Sequence, residues 1–115
     1  MTPEQTDLAR RLVAREEWRW MPGMLASDGH RLDDVDCDGL HPEAYGVMPD
    51  LNDPSTCGCL LVVLRQATYA RGPERLKVWP HGLHWRVDVS GNLYGGPLGC
   101  ALARALLNAW KAEDA

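Results

Sequence analysis

The sequence predicts an α+β domain in which a small antiparallel sheet is packed by three helices. Three segments share helical spacing and supply the helices: about 3–17, 54–68 and 97–112. Two alternating runs within residues 75–89 are separated by a proline and a glycine, which is the pattern of a β-hairpin. A chain of 115 residues can bury one modest core, so we expect a single domain over 1–115.

The first helix prediction rests on a capping box. Thr2 is a good N-cap, Pro3 suits the first helical position, and Gln5 can reach back to the backbone of Thr2. An apolar stripe at helical spacing follows: Leu8, Ala9, Leu12 and Val13. We expect this helix to end near Glu17, where Trp18-Arg19-Trp20 starts an alternating, strand-like step.

The second helix should begin after Asp53, an N-cap residue followed by proline at the first helical position. Its segment Cys59–Leu64 is apolar on every side, so we expect it to be well buried. The same six residues fit a central strand equally well, because periodicity does not separate the two cases; the Asp-Pro start favours a helix. The third helix has a core stripe of apolar residues: Leu98, Leu102, Ala105, Leu106, Ala109 and Trp110.

The hairpin register follows from keeping the apolar residues on one face. We expect Val78 to lie opposite Trp85 and Leu76 opposite Val87, with Val89 on the same side. The other face then carries the polar set: Arg75, Lys77, Trp79, His84, Arg86 and Asp88. A short third strand at Leu93–Tyr94 and another around His30–Leu32 complete the expected strands.

Charge divides the chain into two halves. The net charge is −4, but residues 28–53, an irregular excursion rich in glycine and proline, hold eight acidic residues and one arginine. Residues 54–112 hold seven basic residues and two acidic ones, which fits either an anion-binding half or two solvated faces. We expect no secretory signal before the first helix, and the longest apolar run is too short to span a bilayer. We therefore expect a cytoplasmic protein whose cysteines are free thiols: Cys37, Cys57, Cys59 and Cys100.

The segment from Asp34 to Glu43 has half of a calcium-loop pattern. Asp34, Asp36, Asp38 and Gly39 match the start of an EF-hand loop, but its twelfth position is Tyr45 and not glutamate. The segment also resembles the bacterial Excalibur calcium motif D-x-D-x-D-G-x-x-C-E, with Pro42 in place of its cysteine. Because that family is extracellular, we favour a solvated acidic turn. The remaining alternative is a metal-dependent enzyme with a five-residue cluster: Asp34, Asp36, Asp38, His41 and Glu43.

Other chemical patterns are incomplete. Cys57, Cys59, His81 and His84 have the atoms of a zinc site, but the C-x-C spacing and the buried setting favour core cysteines and surface histidines. Gly95–Gly99 precedes a helix and is better explained as a tight turn than as an anion site. No complete catalytic motif is present, so we expect neither an enzyme nor a cofactor.

Two features remain as candidate binding surfaces. One is the aromatic and thioether cluster Trp18–Met24, which either plugs the core or forms a stacking wall. The other is the polar hairpin face, which is either a solvated strand face or a platform for a phosphate-bearing ligand. The candidate ligand-binding residues are Trp20, Met21, Arg75, Lys77, Trp79, His84 and Arg86.

Two blocks of the chain carry a resemblance. Trp18–Met24, with the pattern W-x-W-M-P-G-M, and Asp50–Leu61, within P-D-L-x-D-P-x-T-x-G-C-L-L, resemble a group of small uncharacterised tailed-phage proteins. The final W-x-V strand and alanine-rich helix are also similar to small phage α/β sandwich domains. The insertion at Asp33–Asp38 is not a feature of the group, and the group has no catalytic residues to carry over.

The resemblance implies a small accessory protein acting in the host cytoplasm. We expect a self-associating, non-enzymatic binder of an anionic, nucleotide-like ligand, which could sequester an immune signal of the host as an anti-defence sponge. The alternative is an inhibitor that docks on a host defence protein through the acidic segment 28–53. Membrane association is not expected, and the acidic net charge disfavours direct nucleic-acid binding.

Overall fold

A computed structural model describes residues 1–33, 47–69 and 76–113, and its elements confirm the predicted α+β fold. In chain order these elements are α1 (Pro3–Val13), α2 (Pro54–Thr68), β1 (Leu76–His81), β2 (His84–Val89), β3 (Asn92–Gly96) and α3 (Leu98–Glu113). The three strands form one antiparallel sheet in the order β1-β2-β3, so β1 and β3 are its edges.

Helix α3 is the centre of the core. It packs against α1, α2, β2 and β3, and it is apolar around nearly its whole circumference. Its alanines are small enough to let the neighbouring elements approach closely. The buried residues of α3 are Cys100, Ala101, Leu102, Ala103, Ala105, Leu106, Leu107, Ala109 and Trp110.

Helix α1 starts as predicted but ends four residues earlier than expected. The capping box forms: the Gln5 backbone amide donates to the Thr2 hydroxyl, and the Thr2 amide donates to Gln5 Oε1. After Val13 the chain continues in three-residue turns, in which the Trp18 amide donates to the Arg15 carbonyl. The prediction of a helix to Glu17 is therefore wrong, because the turns are needed to bring Trp18 into the core.

The sequence prediction of α2 is correct in its bounds and wrong in its burial. Asp53 caps the helix by accepting a hydrogen bond from the Thr56 amide. Leu60 and Leu64 are fully buried against the core, but Leu61 is 36% exposed and Val62 is 44% exposed. Only one side of α2 is covered by α3, so an apolar run does not bury every side of this helix.

The hairpin has the predicted faces in a different register. Val78 lies opposite Val87 and Leu76 opposite Val89, so the expected pairings with Trp85 and Val87 are wrong by two residues. A two-residue shift keeps each side chain on its face, because side chains alternate with a period of two. The shift arises because β1 continues to His81, which leaves only Gly82 and Leu83 to connect the two strands. Gly82 has a φ of 63°, as the first central residue of a type II′ turn requires.

The chain between α1 and α2 is held by local backbone pairing. The expected strand at His30–Leu32 is a single antiparallel bridge between Leu25 and Arg31, and a second bridge joins Ala26 to Pro49. Arg31 then donates to both carboxylate oxygens of Asp53, at 2.5 and 3.0 Å, which ties this segment to the start of α2. The calcium-like stretch Asp34–Glu43 lies outside the described residues, as does Cys37.

Candidate functional site

The outer face of the sheet is the surface on which the sequence placed most of its candidate residues. Three rows of residues, each running across the strands, form this face. The first row is Lys77, Asp88 and Leu93, the second is Trp79, Arg86 and Gly95, and the third is His81 and His84. Lys77 and His84 are exposed, and Trp79 is 37% exposed. The structure thus brings Lys77, Trp79, His84 and Arg86 onto one face.

Arg86 lies across the edge of the sheet because Gly95 leaves room for it. A Cβ on Gly95 would come within 2.9 Å of a terminal guanidinium nitrogen of Arg86 and within 3.4 Å of its Cζ. Trp79 is the direct cross-strand neighbour of Arg86 on the other side, on strand β1. Paired residues of this kind have Cβ atoms ~5 Å apart, so Trp79 and Arg86 leave the sheet side by side on one face, while the guanidinium itself lies over Gly95.

The tip of the hairpin is apolar and exposed. Leu83 is fully exposed in the turn, and Pro80 and Trp85 form the adjacent cross-strand pair on the opposite face from Trp79. Pro80 fits there because β1 is an edge strand, where a missing backbone N–H is tolerated. Both tryptophans of the hairpin therefore present ring surface to solvent.

The other candidate residues lie elsewhere. Trp20 is 9% exposed and belongs to the buried core, with its ring 5.5 Å from that of Trp18 in an edge-to-face arrangement. Met21 is half-buried against the same core. Arg75 lies outside the described residues. The cluster at 18–24 thus has the packing role that was one of its two interpretations.

The cysteines in the described part of the chain are unbridged and are held as neutral thiols. Burial raises the pKa of Cys57 to about 11, and it also raises the pKa values of Cys59 and Cys100. The Cys57 thiol donates to the Leu51 carbonyl at 3.4 Å. Thiols of this kind are poor nucleophiles and poor metal ligands, since both roles require the thiolate.

The described residues contain neither a group of metal-ligating side chains nor a helix that could span a membrane. Over 1–33, 47–69 and 76–113, no three His, Cys, Asp or Glu side chains are grouped so that they could share a metal ion. His81 and His84 are exposed beside the hairpin turn and Cys57 is buried, as predicted for surface histidines and core cysteines, but Cys59 is only half-buried against the core. Among the same residues, no helix has the length and apolarity needed to cross a bilayer.

A second cationic surface was not predicted from the sequence. It is a groove between α1, α3 and β3, here called the α1–α3 groove, lined by Arg11, Tyr94, Arg104, Leu107, Asn108 and Lys111. Residues 104, 108 and 111 share one face of α3, but Arg11 and Tyr94 are far away in sequence. Only helical spacing within α3 offered a sequence signal, and that signal does not indicate which neighbours complete the groove.

Comparison of the chain with protein-family models, with curated proteins and with solved structures finds no match. The two cationic surfaces and the chemistry of their side chains are therefore the features that bear on function.

Proposed function

We propose that this protein is a non-enzymatic binder of an anionic, nucleotide-like ligand, and that the outer face of the sheet is its binding surface. The observation that carries the proposal is the cross-strand pair of Trp79 and Arg86, with Lys77 and His84 on the same face. An exposed indole and a guanidinium on one face combine a stacking surface with a phosphate donor. Ligands that contain both an aromatic ring and a phosphate use both groups.

The spacing on β1 suits such a ligand. Lys77 and Trp79 are two residues apart on one face, which separates their Cα atoms by ~7 Å. A base stacked on Trp79 could place its phosphate towards Lys77 on the same strand or towards Arg86 on the next strand. Stacking on an aromatic side chain contributes ~1–3 kcal/mol per base, and arginine contributes paired hydrogen bonds to phosphate.

The biological setting of the proposal comes from the phage resemblance. A binder without catalytic residues could act by sequestration, so the natural ligand would be a nucleotide immune signal of the host. Action in the cytoplasm also fits the unbridged thiols of Cys57, Cys59 and Cys100, because thiols persist in a reducing compartment.

Isothermal titration calorimetry with linear and cyclic mono- and dinucleotides tests the proposal. We expect one class to bind and Arg86→Glu to weaken it by at least about tenfold, corresponding to ~1.4 kcal/mol. Trp79→Ala should have a similar effect through loss of stacking. Arg10→Glu, the same charge change at an exposed position of α1, is the matched control and should leave the affinity unchanged.

A third variant moves Arg86 without removing it. Gly95→Ala would push the Arg86 guanidinium away from the strand, at little expense in stability because the displaced atoms end a flexible side chain. We expect it to weaken binding as well. Equal affinity of wild-type protein, Arg86→Glu and Trp79→Ala for every ligand that binds would contradict the assignment to this face.

Replacing residues 34–46 distinguishes the inhibitor alternative from the nucleotide-binding proposal. The Leu32 amide donates to the Met24 carbonyl and the Ser27 amide to the Met48 carbonyl, so both ends of residues 34–46 are held on the same short segment. A glycine–serine linker can therefore replace them without disturbing the sheet. The nucleotide affinity should survive this replacement, whereas an inhibitor acting through the acidic segment would lose its host protein.

A further inference from the structure

The α1–α3 groove is a concave surface lined by several positively charged side chains. Two adjoining hollows, of about 210 and 280 Å³, share Arg11, Leu107 and Lys111 in their walls. The first is completed by Tyr94, Arg104 and Asn108, and the second by Ala14 and Arg15. Small-molecule sites occupy ~300–1,000 Å³, so the continuous groove is of a size for a small ligand.

Two of the four cations in the groove have protein partners. Arg104 forms an ion pair with Glu4 and donates to the Gly95 carbonyl at 2.9 Å. Arg15 forms an ion pair with Glu17 at 2.7 Å and donates to the Trp110 carbonyl at 3.2 Å. These contacts hold the two guanidinium groups in place.

Arg11 and Lys111 differ from those two. Within the described part of the chain, no ion pair joins a carboxylate to either side chain. They lie in the last turns of α1 and α3, where cations complement the negative ends of the helix dipoles. The dipoles account for cations at these positions along each helix, but they do not require both side chains to line one groove.

The groove also offers neutral hydrogen-bonding groups. Burial raises the pKa of Tyr94, and a hydrogen bond with Asn108 opposes this shift, so the hydroxyl is protonated near neutral pH. Asn108 and Tyr94 line the same hollow as Arg11 and Lys111. A hydroxyl and an amide that line a hollow together with two cations form a donor set suited to phosphate oxygens.

From this arrangement we infer that the α1–α3 groove is a second anion site, which binds linked phosphate groups of a small molecule. Arg11 and Lys111 supply the charge, Arg104 supplies a fixed donor held by Glu4, and Tyr94 and Asn108 supply neutral donors. In a protein whose net charge is −4, a concave site with two such cations is a specific feature and not a consequence of overall charge.

Calorimetric titration with inorganic pyrophosphate, at about 50 and about 200 mM salt, tests the inference. We expect binding that weakens at the higher salt and that falls at least about tenfold in the double variant Arg11→Gln/Lys111→Gln. Arg10→Gln is the matched control, because Arg10 is exposed on the same turn of α1, and it should bind as the wild type does. Adenosine diphosphate titrated into Arg86→Glu, whose outer face is impaired, distinguishes ligand sources: equal affinity with pyrophosphate means that the groove recognises phosphate alone, and higher affinity means that it also contacts the nucleoside.

The result separates this site from the outer face of the sheet. Arg86→Glu should leave pyrophosphate binding intact, since Arg86 belongs to the outer face. Absence of pyrophosphate binding to the wild type, or equal binding to the double variant, overturns the groove inference. Loss of pyrophosphate binding in Arg86→Glu alone would also overturn it, while supporting the proposed function.

Discussion

A close approach at Gly99 shows how strongly one residue can constrain this fold. A Cβ at this position would lie 2.0 Å from the Leu51 carbonyl oxygen and 2.9 Å from the Leu51 carbonyl carbon. The first turn of α3 therefore packs directly on the backbone that leads into α2. The sequence pattern Gly95–Gly99 predicted a tight strand-to-helix turn, but it could not show that Gly99 is required by a partner 48 positions earlier.

We predict that Gly99→Ala destabilises the protein by about 3 kcal/mol, the upper part of the usual range for overpacking, because the obstructing atoms are backbone. Gly58→Ala is the control: Gly58 lies in α2 with open space around its Cβ position, and alanine should stabilise that helix by ~0.5–1 kcal/mol. Urea denaturation of the three proteins measures both changes. A Gly99→Ala midpoint equal to that of the wild type would show that α3 can shift away from Leu51.

At the scale of one element, the start of α2 is held by a charge as well as by a cap. The bond from Arg31, with help from the Thr56 amide and hydroxyl, lowers the pKa of Asp53 to about 2. Because this value is below that of an unfolded aspartate, the stabilisation is complete above about pH 4 and is lost as the pH falls towards about 2. The contact between Arg31 and the N-terminal end of α2 is therefore sensitive to acid.

We predict that Asp53→Asn and Arg31→Gln each remove much of the loss of stability between about pH 4 and about pH 2. Asparagine is as good an N-cap as aspartate, so Asp53→Asn removes the charge and keeps the cap. Urea midpoints measured across this pH range for the wild type and both variants supply the test. If the variants lose stability as steeply as the wild type, other carboxylates control the acid transition.

The elements that the sequence predicted well are those with local start signals. Thr2 and Asp53 gave the starts of α1 and α2, because a cap acts over three residues. The end of α1 and the hairpin register were wrong for a physical reason: both depend on tertiary packing. Trp18 has to reach the core, and β1 continues to His81 along an open edge of the sheet.

At the scale of the whole molecule, we propose the exposed side of α2 as the surface for the expected self-association. Leu61, Val62 and Tyr69 are exposed there, and Val62, Gln66 and Tyr69 line a hollow with Arg65. In an antiparallel pair of α2 helices, the C-terminal end of each helix would lie near the N-terminal end of the other helix. The antiparallel helix dipoles favour this two-fold arrangement.

We predict a concentration-dependent dimer that Leu61→Lys weakens, by placing a cation in this apolar stripe beside Arg65. Leu93→Lys is the control, because Leu93 is 54% exposed but lies on the outer face of the sheet. Sedimentation equilibrium of the three proteins measures the association constants. Dissociation by Leu93→Lys and not by Leu61→Lys would assign the contact to the sheet.

Of the two candidate sites, the outer face of the sheet was predictable from the sequence and the α1–α3 groove was not. Alternation within the hairpin was enough to place Lys77, Trp79, His84 and Arg86 on one face, because that inference needs only a period of two. The α1–α3 groove draws on α1, β3 and α3, and no short-range pattern connects Arg11 with Tyr94. Trp20 was a stacking candidate by composition, but only packing shows that Trp18 already contacts its ring.

Because the tryptophans lie in two different environments, their fluorescence can report where a ligand binds. Trp18, Trp20 and Trp110 are buried, whereas Trp79 and Trp85 present their rings to solvent on the hairpin. Iodide in solution should therefore quench the red-shifted emission of the hairpin pair and spare the blue-shifted emission of the core. A molecule stacked on Trp79 would shield part of the quenchable light, and one held between α1 and α3 would shield none, so a single spectrum distinguishes the two positions.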